Sequence, residues 1–301
     1  MNLKRIILGL LLTLSIGLGV KAQNSINRET YFPYPLVPDS IQAFQSRCDY
    51  LARHFWDFCE LSKAFSAKQK MANEFSVYLS ILRNASVDSA LASVDRLAKK
   101  LEKQPNDLLF LAQQAEGKLF SDTAEAWVDG LYLPFAEAVV KNKRIDKAHK
   151  ARFAHHATIL KNTMMGGPAA PLPYTTVNGE KRNLSADSAE ILVVFFNDPD
   201  CSDCNLARIR LDADISTTEL INEGKVKVVS ISLIEPDEAW KQAVSGYPSN
   251  WTIGANPDAD LTYDLRSGTP NFYIIDRRHN VRFKHLTIDQ VLDVMRQIKK
   301  R

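Results

Sequence analysis

Apolar side chains recur every three or four positions through the first half of the chain, which is the spacing of amphipathic α-helices. The pattern runs from about Ser40 to Thr163, and Pro105 divides it into separate helices. The first apolar stripe consists of Ile41, Phe44, Cys48, Leu51, Phe55 and Cys59. The pattern predicts an all-α N-terminal domain over residues 23–161.

A segment rich in Gly and Pro over residues 162–173 (NTMMGGPAAPLP) ends the helical pattern and predicts a linker. Beyond it, continuous apolar runs typical of buried strands alternate with helical segments, and Asn178-Gly179 favours a tight hairpin turn. The predicted strands and the closing helix are 191–196, 226–233, 271–275, 281–284 and 287–298. This order predicts an α/β C-terminal domain over residues 174–301 around a mostly parallel sheet, and α+β overall.

Residues 1–22 have the pattern of a cleaved signal peptide. Lys4 and Arg5 precede an apolar run over 6–20, and Val20-Lys21-Ala22 supplies small residues where signal peptidase cuts. The run is short for a bilayer span, which makes a retained signal anchor the weaker alternative. No cysteine follows the run to carry a lipid. We therefore expect a periplasmic protein without a lipoprotein anchor.

The charge of the chain has its source in that first segment. The net charge is +3, and the three basic residues of 1–22 (Lys4, Arg5 and Lys21) account for all of it. The rest of the chain is balanced, so no electrostatic feature favours nucleic acid as a partner. No nucleotide-binding pattern is present, and we expect no bound cofactor.

Two of the four cysteines have the spacing of a redox centre. Cys201 and Cys204 lie between the run 191–196 and a predicted helix that begins near Cys201. Unpaired amides at a helix N-terminus stabilise a thiolate, which is the attacking species in thiol–disulfide exchange. We therefore assign Cys201 as the nucleophile and Cys204, one turn later, as the resolving thiol.

The other two cysteines and the histidines carry weaker signals. If one helix holds both Cys48 and Cys59, they are about 16 Å apart along its axis, too far for a disulfide. We expect free buried thiols, and a break in the helix would favour a disulfide instead. Three histidines (His149, His155 and His156) could suggest a metal site. Their spacing does not fit one, so we expect surface histidines and no metal.

Several segments in order along residues 167–300 resemble the thioredoxin-like family of reductases that includes TlpA and ResA. They are the strand–CxxC–helix segment, GPAAP at 167–171, DEAW at 237–240 and GTPNFYIID at 268–276. The resemblance implies a thioredoxin-like fold, with Pro270 in the cis form facing the cysteines and the backbone at Thr269 free to pair with substrate. The helical region resembles an uncharacterised domain found ahead of such modules, which implies no activity.

The sequence departs from that family beside both cysteines. Asp200 stands where Trp is usual, and Asp203 stands where Pro is common. Together with Asp198 they place negative charge near the thiols, which disfavours a thiolate and suggests a reducing couple. A proton-shuttling role for Asp200 or Asp203 is the alternative.

The function predicted from the sequence is a periplasmic thiol-disulfide oxidoreductase that reduces or isomerises protein disulfides. It requires electrons from another carrier, for which we expect a membrane thiol protein. One alternative is a non-catalytic thioredoxin-like binding module with a structural disulfide, whose helical domain binds an unidentified partner. A thiol peroxidase is a further alternative, disfavoured because Asp198 stands where that chemistry needs Thr or Ser.

Overall fold

A computed structural model describes residues 30–300 of the chain. The predicted signal peptide lies outside the described residues. The first half of the described chain is helical, with a single turn of 3₁₀ helix at Phe65–Ala67. Its α-helices are α1 (Phe44–His54), α2 (Leu61–Ala64), α3 (Lys68–Asn84), α4 (Val87–Lys100), α5 (Pro105–Leu119), α6 (Asp129–Lys141) and α7 (Lys147–Asn162). Within residues 30–300, no helix is both long and apolar enough to cross a membrane.

The ends of these helices follow local sequence rules. The side chain of Ser86 accepts a hydrogen bond from Ser89 N at the start of α4, and Asp146 does the same for His149 N in α7. Pro105 is the first residue of α5, where a backbone N–H would have no partner within the helix, so the missing N–H of proline removes no hydrogen bond. The apolar stripes meet in one core rich in fully buried aromatic rings, including Phe55, Phe75, Tyr78, Phe135 and Phe153.

The second half is a seven-stranded sheet flanked by helices. Its strands are β1 (Pro173–Thr176), β2 (Lys181–Asn183), β3 (Ile191–Asn197), β4 (Val226–Ser232), β5 (Thr252–Ala255), β6 (Asn271–Asp276) and β7 (Val281–Leu286). Its α-helices are α8 (Ser202–Asp212), α9 (Ile215–Asn222), α10 (Glu238–Ala243) and α11 (Ile288–Lys299). The α+β architecture, with an all-α half followed by an α/β half, is confirmed.

The strand order is β2-β1-β5-β4-β3-β6-β7. Among the described strands, only the β3–β4 and β4–β5 pairs are parallel, so the expectation of a mostly parallel sheet was wrong. The physical reason is that hairpins β1–β2 and β6–β7 flank the parallel core on both sides. β3 is central and buried on both faces: Val193 and Phe195 pack on one side, and Leu192, Val194 and Phe196 on the other.

The segment predicted as a linker is packed against the sheet. Gly166 N donates to Val281 O at 2.7 Å, Val281 N donates to Gly167 O at 2.9 Å, and Ala169 N donates to His279 O at 2.8 Å. Leu172 is fully buried. The connection between the halves is therefore held along β7 by backbone hydrogen bonds.

Cys48 and Cys59 do not share a helix, because α1 ends at His54. Both thiols are nonetheless free. Cys48 is buried, whereas Cys59 is half-buried, so the expectation of two buried thiols holds for one of them. Burial raises the pKa of Cys59 to about 11 and also raises the pKa of Cys48.

The expectation of surface histidines was wrong for His156. Its side chain is only 13% exposed, and Nδ1 lies 2.7 Å from the hydroxyl of Tyr132. Its ring packs on Phe120 with centroids 4.3 Å apart. Burial lowers the pKa of His156 to about 4 and keeps the ring neutral at pH 7. No group of three His, Cys, Asp or Glu side chains placed to hold a metal occurs within residues 30–300.

Candidate functional site

The two cysteines lie where the central strand passes into a helix. β3 ends at Asn197, and α8 begins at Ser202 with Cys201 as its N-cap. The sulfur of Cys201 accepts a hydrogen bond from Cys204 N at 3.1 Å, so it fills the position that an oxygen usually has at a helix start. The predicted helix start at Cys201 is confirmed. The amide and the helix dipole both favour negative charge on this sulfur.

The two thiols differ in their access to solvent. Cys201 is partly exposed, whereas Cys204 is only 1% exposed and belongs to the core cluster beneath α8. Burial raises the pKa of Cys204 to about 11, against an opposing backbone hydrogen bond from Asp198. A substrate disulfide can therefore reach Cys201 but not Cys204, which fits the predicted roles of nucleophile and resolving thiol.

The loop before β6 supplies the third part of the site. Asn271 at the start of β6 pairs in register with Phe196 near the end of β3, which brings the preceding residues beside the cysteines. The peptide bond between Thr269 and Pro270 is cis, and both residues are half-buried. The side chain of Thr269 acts on the thiol of Cys204 and favours a lower pKa, against the effect of burial. The structure thus brings Cys201, Cys204 and Thr269 together, and Pro270 follows Thr269 at the cis bond.

The structure does not bring Asp200 and Asp203 to the sulfurs. Both side chains are exposed, and within the described residues neither carboxylate forms a hydrogen bond with a thiol. The backbone N–H of Asp200 donates to Asp198 Oδ1 at 2.9 Å, which closes the turn between β3 and α8. The geometry therefore gives no support to a proton shuttle through Asp200 or Asp203.

A buried polar network beneath this turn was not predicted from the sequence. Asn197 is fully buried, and its Nδ2 donates to Ser230 Oγ at 2.8 Å and to Phe195 O at 3.1 Å. Its Oδ1 accepts hydrogen bonds from Ser232 Oγ and from the hydroxyl of Tyr247, each at 3.3 Å. An amide at the end of an otherwise apolar strand, four residues before a cysteine, is the signal that could have revealed it.

Tyr247 extends this network towards the cysteines. The guanidinium of Arg208, from α8, lies 4.7 Å from the centre of its ring. Burial raises the pKa of Tyr247 to about 12, and negative charge on Cys204, Asp198 or Cys201 acts in the same direction. Tyr247 therefore belongs to the surroundings of the site, although its own sequence context carries no recognisable motif.

Comparisons with known proteins agree with this architecture. Residues 18–162 match a family model described as a domain of unknown function, DUF5106. A solved structure of a thioredoxin-like protein from Bacteroides caccae is similar with a TM-score of 0.69 and 20% identity, covering 89% of this chain and 98% of that chain. A search among curated proteins found no match.

Two further solved structures match a smaller share of the chain. A conserved protein of unknown function from Bacteroides fragilis has 30% identity and a TM-score of 0.41, covering 44% of this chain and 98% of that chain. The thioredoxin domain of a thiol-disulfide oxidoreductase from Bacteroides vulgatus has 20% identity and a TM-score of 0.38, covering 44% of this chain and 96% of that chain. The fold is thioredoxin-like, with the helical half in front of it shared by the Bacteroides caccae protein.

Proposed function

We propose that the chain is a thiol-disulfide oxidoreductase acting through Cys201 and Cys204. The observation that carries the proposal is the asymmetry of the pair. The partly exposed Cys201 caps a helix through its sulfur, and the Cys204 thiol, three residues later, is buried beneath that helix. A structural disulfide needs no such difference in access, whereas an exchange reaction needs one thiol to attack and a second to resolve.

The exchange transfers two electrons from the dithiol to a substrate disulfide. The thiolate of Cys201 attacks one substrate sulfur, the substrate S–S bond breaks, and the leaving substrate sulfur takes a proton. Cys204 then loses its proton and attacks Cys201 in the mixed disulfide. A Cys201–Cys204 disulfide forms, and the second substrate thiol leaves. The substrate is reduced by two electrons and the pair is oxidised by two.

The direction and the setting complete the proposal. We place the protein in the periplasm, with protein disulfides as substrates and with reduction or isomerisation as the reaction, in the manner of TlpA and ResA. Each reductive turnover consumes the dithiol, so a membrane thiol protein is the proposed electron donor. Burial keeps Cys204 protonated at neutral pH, so no Cys204 thiolate stabilises the dithiol, which supports a reducing rather than an oxidising couple.

The test is reduction of insulin disulfides with dithiothreitol as the electron source. We expect the full chain to accelerate the reaction and Cys201→Ser to abolish the acceleration. In a single turnover without dithiothreitol, Cys204→Ser should accumulate a mixed disulfide with insulin, because the attack still occurs but resolution does not. Cys59→Ser, which removes a half-buried thiol from the helical half, is the matched control and should keep the wild-type rate. A wild-type chain that does not accelerate the reaction would support a structural disulfide and overturn the proposal.

A further inference from the structure

A cluster of charged side chains joins the two halves of the chain. Asp129, at the start of α6 in the helical half, forms ion pairs with Arg266 and with Lys284 Nζ at 2.7 Å. Asp264 lies in the same cluster, 2.7 Å from Arg266 and 2.8 Å from Lys284. The side chains of Asp264, Lys284 and Arg266 are only 0%, 6% and 8% exposed. This is an enclosed network, unlike the exposed ion pairs elsewhere on the described surface.

Arg266 makes most of its contacts with the helical half. It donates a hydrogen bond to Phe120 O at 2.9 Å as well as pairing with Asp129. Its guanidinium lies 4.0 Å from the centre of the Phe120 ring and 4.8 Å from that of Trp127. One arginine of the thioredoxin-like half is therefore held by two rings, a carbonyl and a carboxylate of the helical half.

The loop that begins at Arg266 leads directly to the cysteine site. Gly268 N donates to Leu265 O at 2.9 Å, and Gly268 adopts a left-handed φ of 73°, so the turn is tight. Asn271 Nδ2 donates to Ser267 Oγ at 2.7 Å and ties the far end of the loop to its start. Thr269 then contacts Cys204. This short turn connects Arg266 directly to Thr269.

We propose that the helical half positions the active-site loop: Asp129 holds Arg266, and Arg266 fixes the turn that sets Thr269 against Cys204. Asp129 and Arg266 are positioning residues, and they make the redox behaviour of the cysteine pair depend on the helical half. The inference rests on the proposed function and adds a role for the helical half.

The test compares Asp129→Asn with the wild-type full chain in the insulin assay and in equilibrium with reduced and oxidised glutathione. We expect the variant to exchange disulfides at least about 5-fold more slowly, the lower end of typical coupling between sites. We also expect its equilibrium to shift towards the Cys201–Cys204 disulfide, because the reduced Cys204 loses its contact with Thr269. Asp293→Asn, which breaks an exposed pair with Arg296 in α11, is the matched control and should change neither quantity.

A double-mutant cycle separates positioning from general loosening of the fold. Thr269→Val should produce the same shift in the glutathione equilibrium, and adding Asp129→Asn to it should shift the equilibrium no further. If the shifts caused by Asp129→Asn and Thr269→Val add, or if a folded Asp129→Asn chain keeps the wild-type rate and equilibrium, this inference is overturned. The proposed function would not be affected by either outcome. If Asp129→Asn does not fold, we expect the same changes in rate and equilibrium for Arg266→Lys. Lysine keeps the positive charge but lacks the planar guanidinium that contacts both Asp129 and the two aromatic rings. A wild-type chain without exchange activity would overturn the proposed function and this inference together.

Discussion

The difference between the two thiols can be measured by alkylation of the reduced chain at pH 8. With a pKa of about 11, about one Cys204 side chain in a thousand is a thiolate at that pH, against roughly one in four for an unperturbed cysteine with a pKa of about 8.5. Because only the thiolate reacts, ionisation alone slows Cys204 by about 200-fold. Its 1% exposure slows the reaction further.

The assay is a time course with iodoacetamide in which each cysteine is followed by peptide mass spectrometry. We expect Cys201 to be modified first and Cys204 to remain thiol until the pH approaches about 11. Cys59, whose pKa is also raised to about 11, is an internal reference that lies outside the site. In Cys201→Ser, Cys204 should still react slowly, because burial is the main cause of its high pKa. If Cys204 is modified as fast as Cys201, or faster, then burial and a high pKa do not make it the less reactive thiol.

Further predictions concern the stability of the fold. Asp264→Asn should lower the free energy of unfolding by about 3–5 kcal/mol in urea denaturation, because it leaves buried cations without their partner; exposed Asp293→Asn should cost under about 1 kcal/mol. The pKa of Asp264 is held well below its usual range: burial alone would raise it, but His285, Lys284 and Arg266 outweigh burial. The stabilisation by Asp264 is therefore complete above the unfolded pKa of about 3.9 and is lost as the pH falls through the folded pKa. The difference in the free energy of unfolding between wild type and Asp264→Asn should therefore become smaller in acid. A difference that stays constant from pH 7 to pH 2 would contradict this. Gly254→Ala should lower the free energy of unfolding by about 1–3 kcal/mol, because the new Cβ lies 2.3 Å from the ring of Tyr174. Gly246→Ala, where the new Cβ meets open space, is the control. Equal unfolding midpoints for both variants would show that the contact with Tyr174 is not destabilising.

Much of this fold could be predicted because it depends on local pattern. The apolar spacing of three and four between Ile41 and Leu160 dictates helices, and the run 191–196 dictates a buried strand. The helix start at Cys201 could be predicted in the same way, because the apolar spacing changes from that of a strand to that of a helix at the turn before Cys201. The short helix α9 was not predicted, because its eight residues hold too few apolar positions to show a period.

The parts that could not be predicted depend on contacts between distant segments. Asp129 and Arg266 are 137 residues apart and belong to different halves, so no spacing in the sequence links them. Asp200 and Asp203 stood next to the cysteines in sequence, yet the turn and the first helical residues direct both carboxylates to solvent. Nearness along the chain suggested a chemical role for them, whereas the packing brings the side chain of Thr269 to Cys204.

The reduction potential of the Cys201–Cys204 pair tests the central claim most directly. It is obtained by equilibrating the full chain with glutathione buffers and quantifying dithiol and disulfide after acid quenching. We expect one reversible two-electron transition at a reducing potential, near the roughly −270 mV of thioredoxin. A pair that stays oxidised in every buffer, as a structural disulfide below about −300 mV would, contradicts a catalytic role. A potential near the roughly −120 mV of a disulfide-forming enzyme contradicts the proposed direction of electron flow.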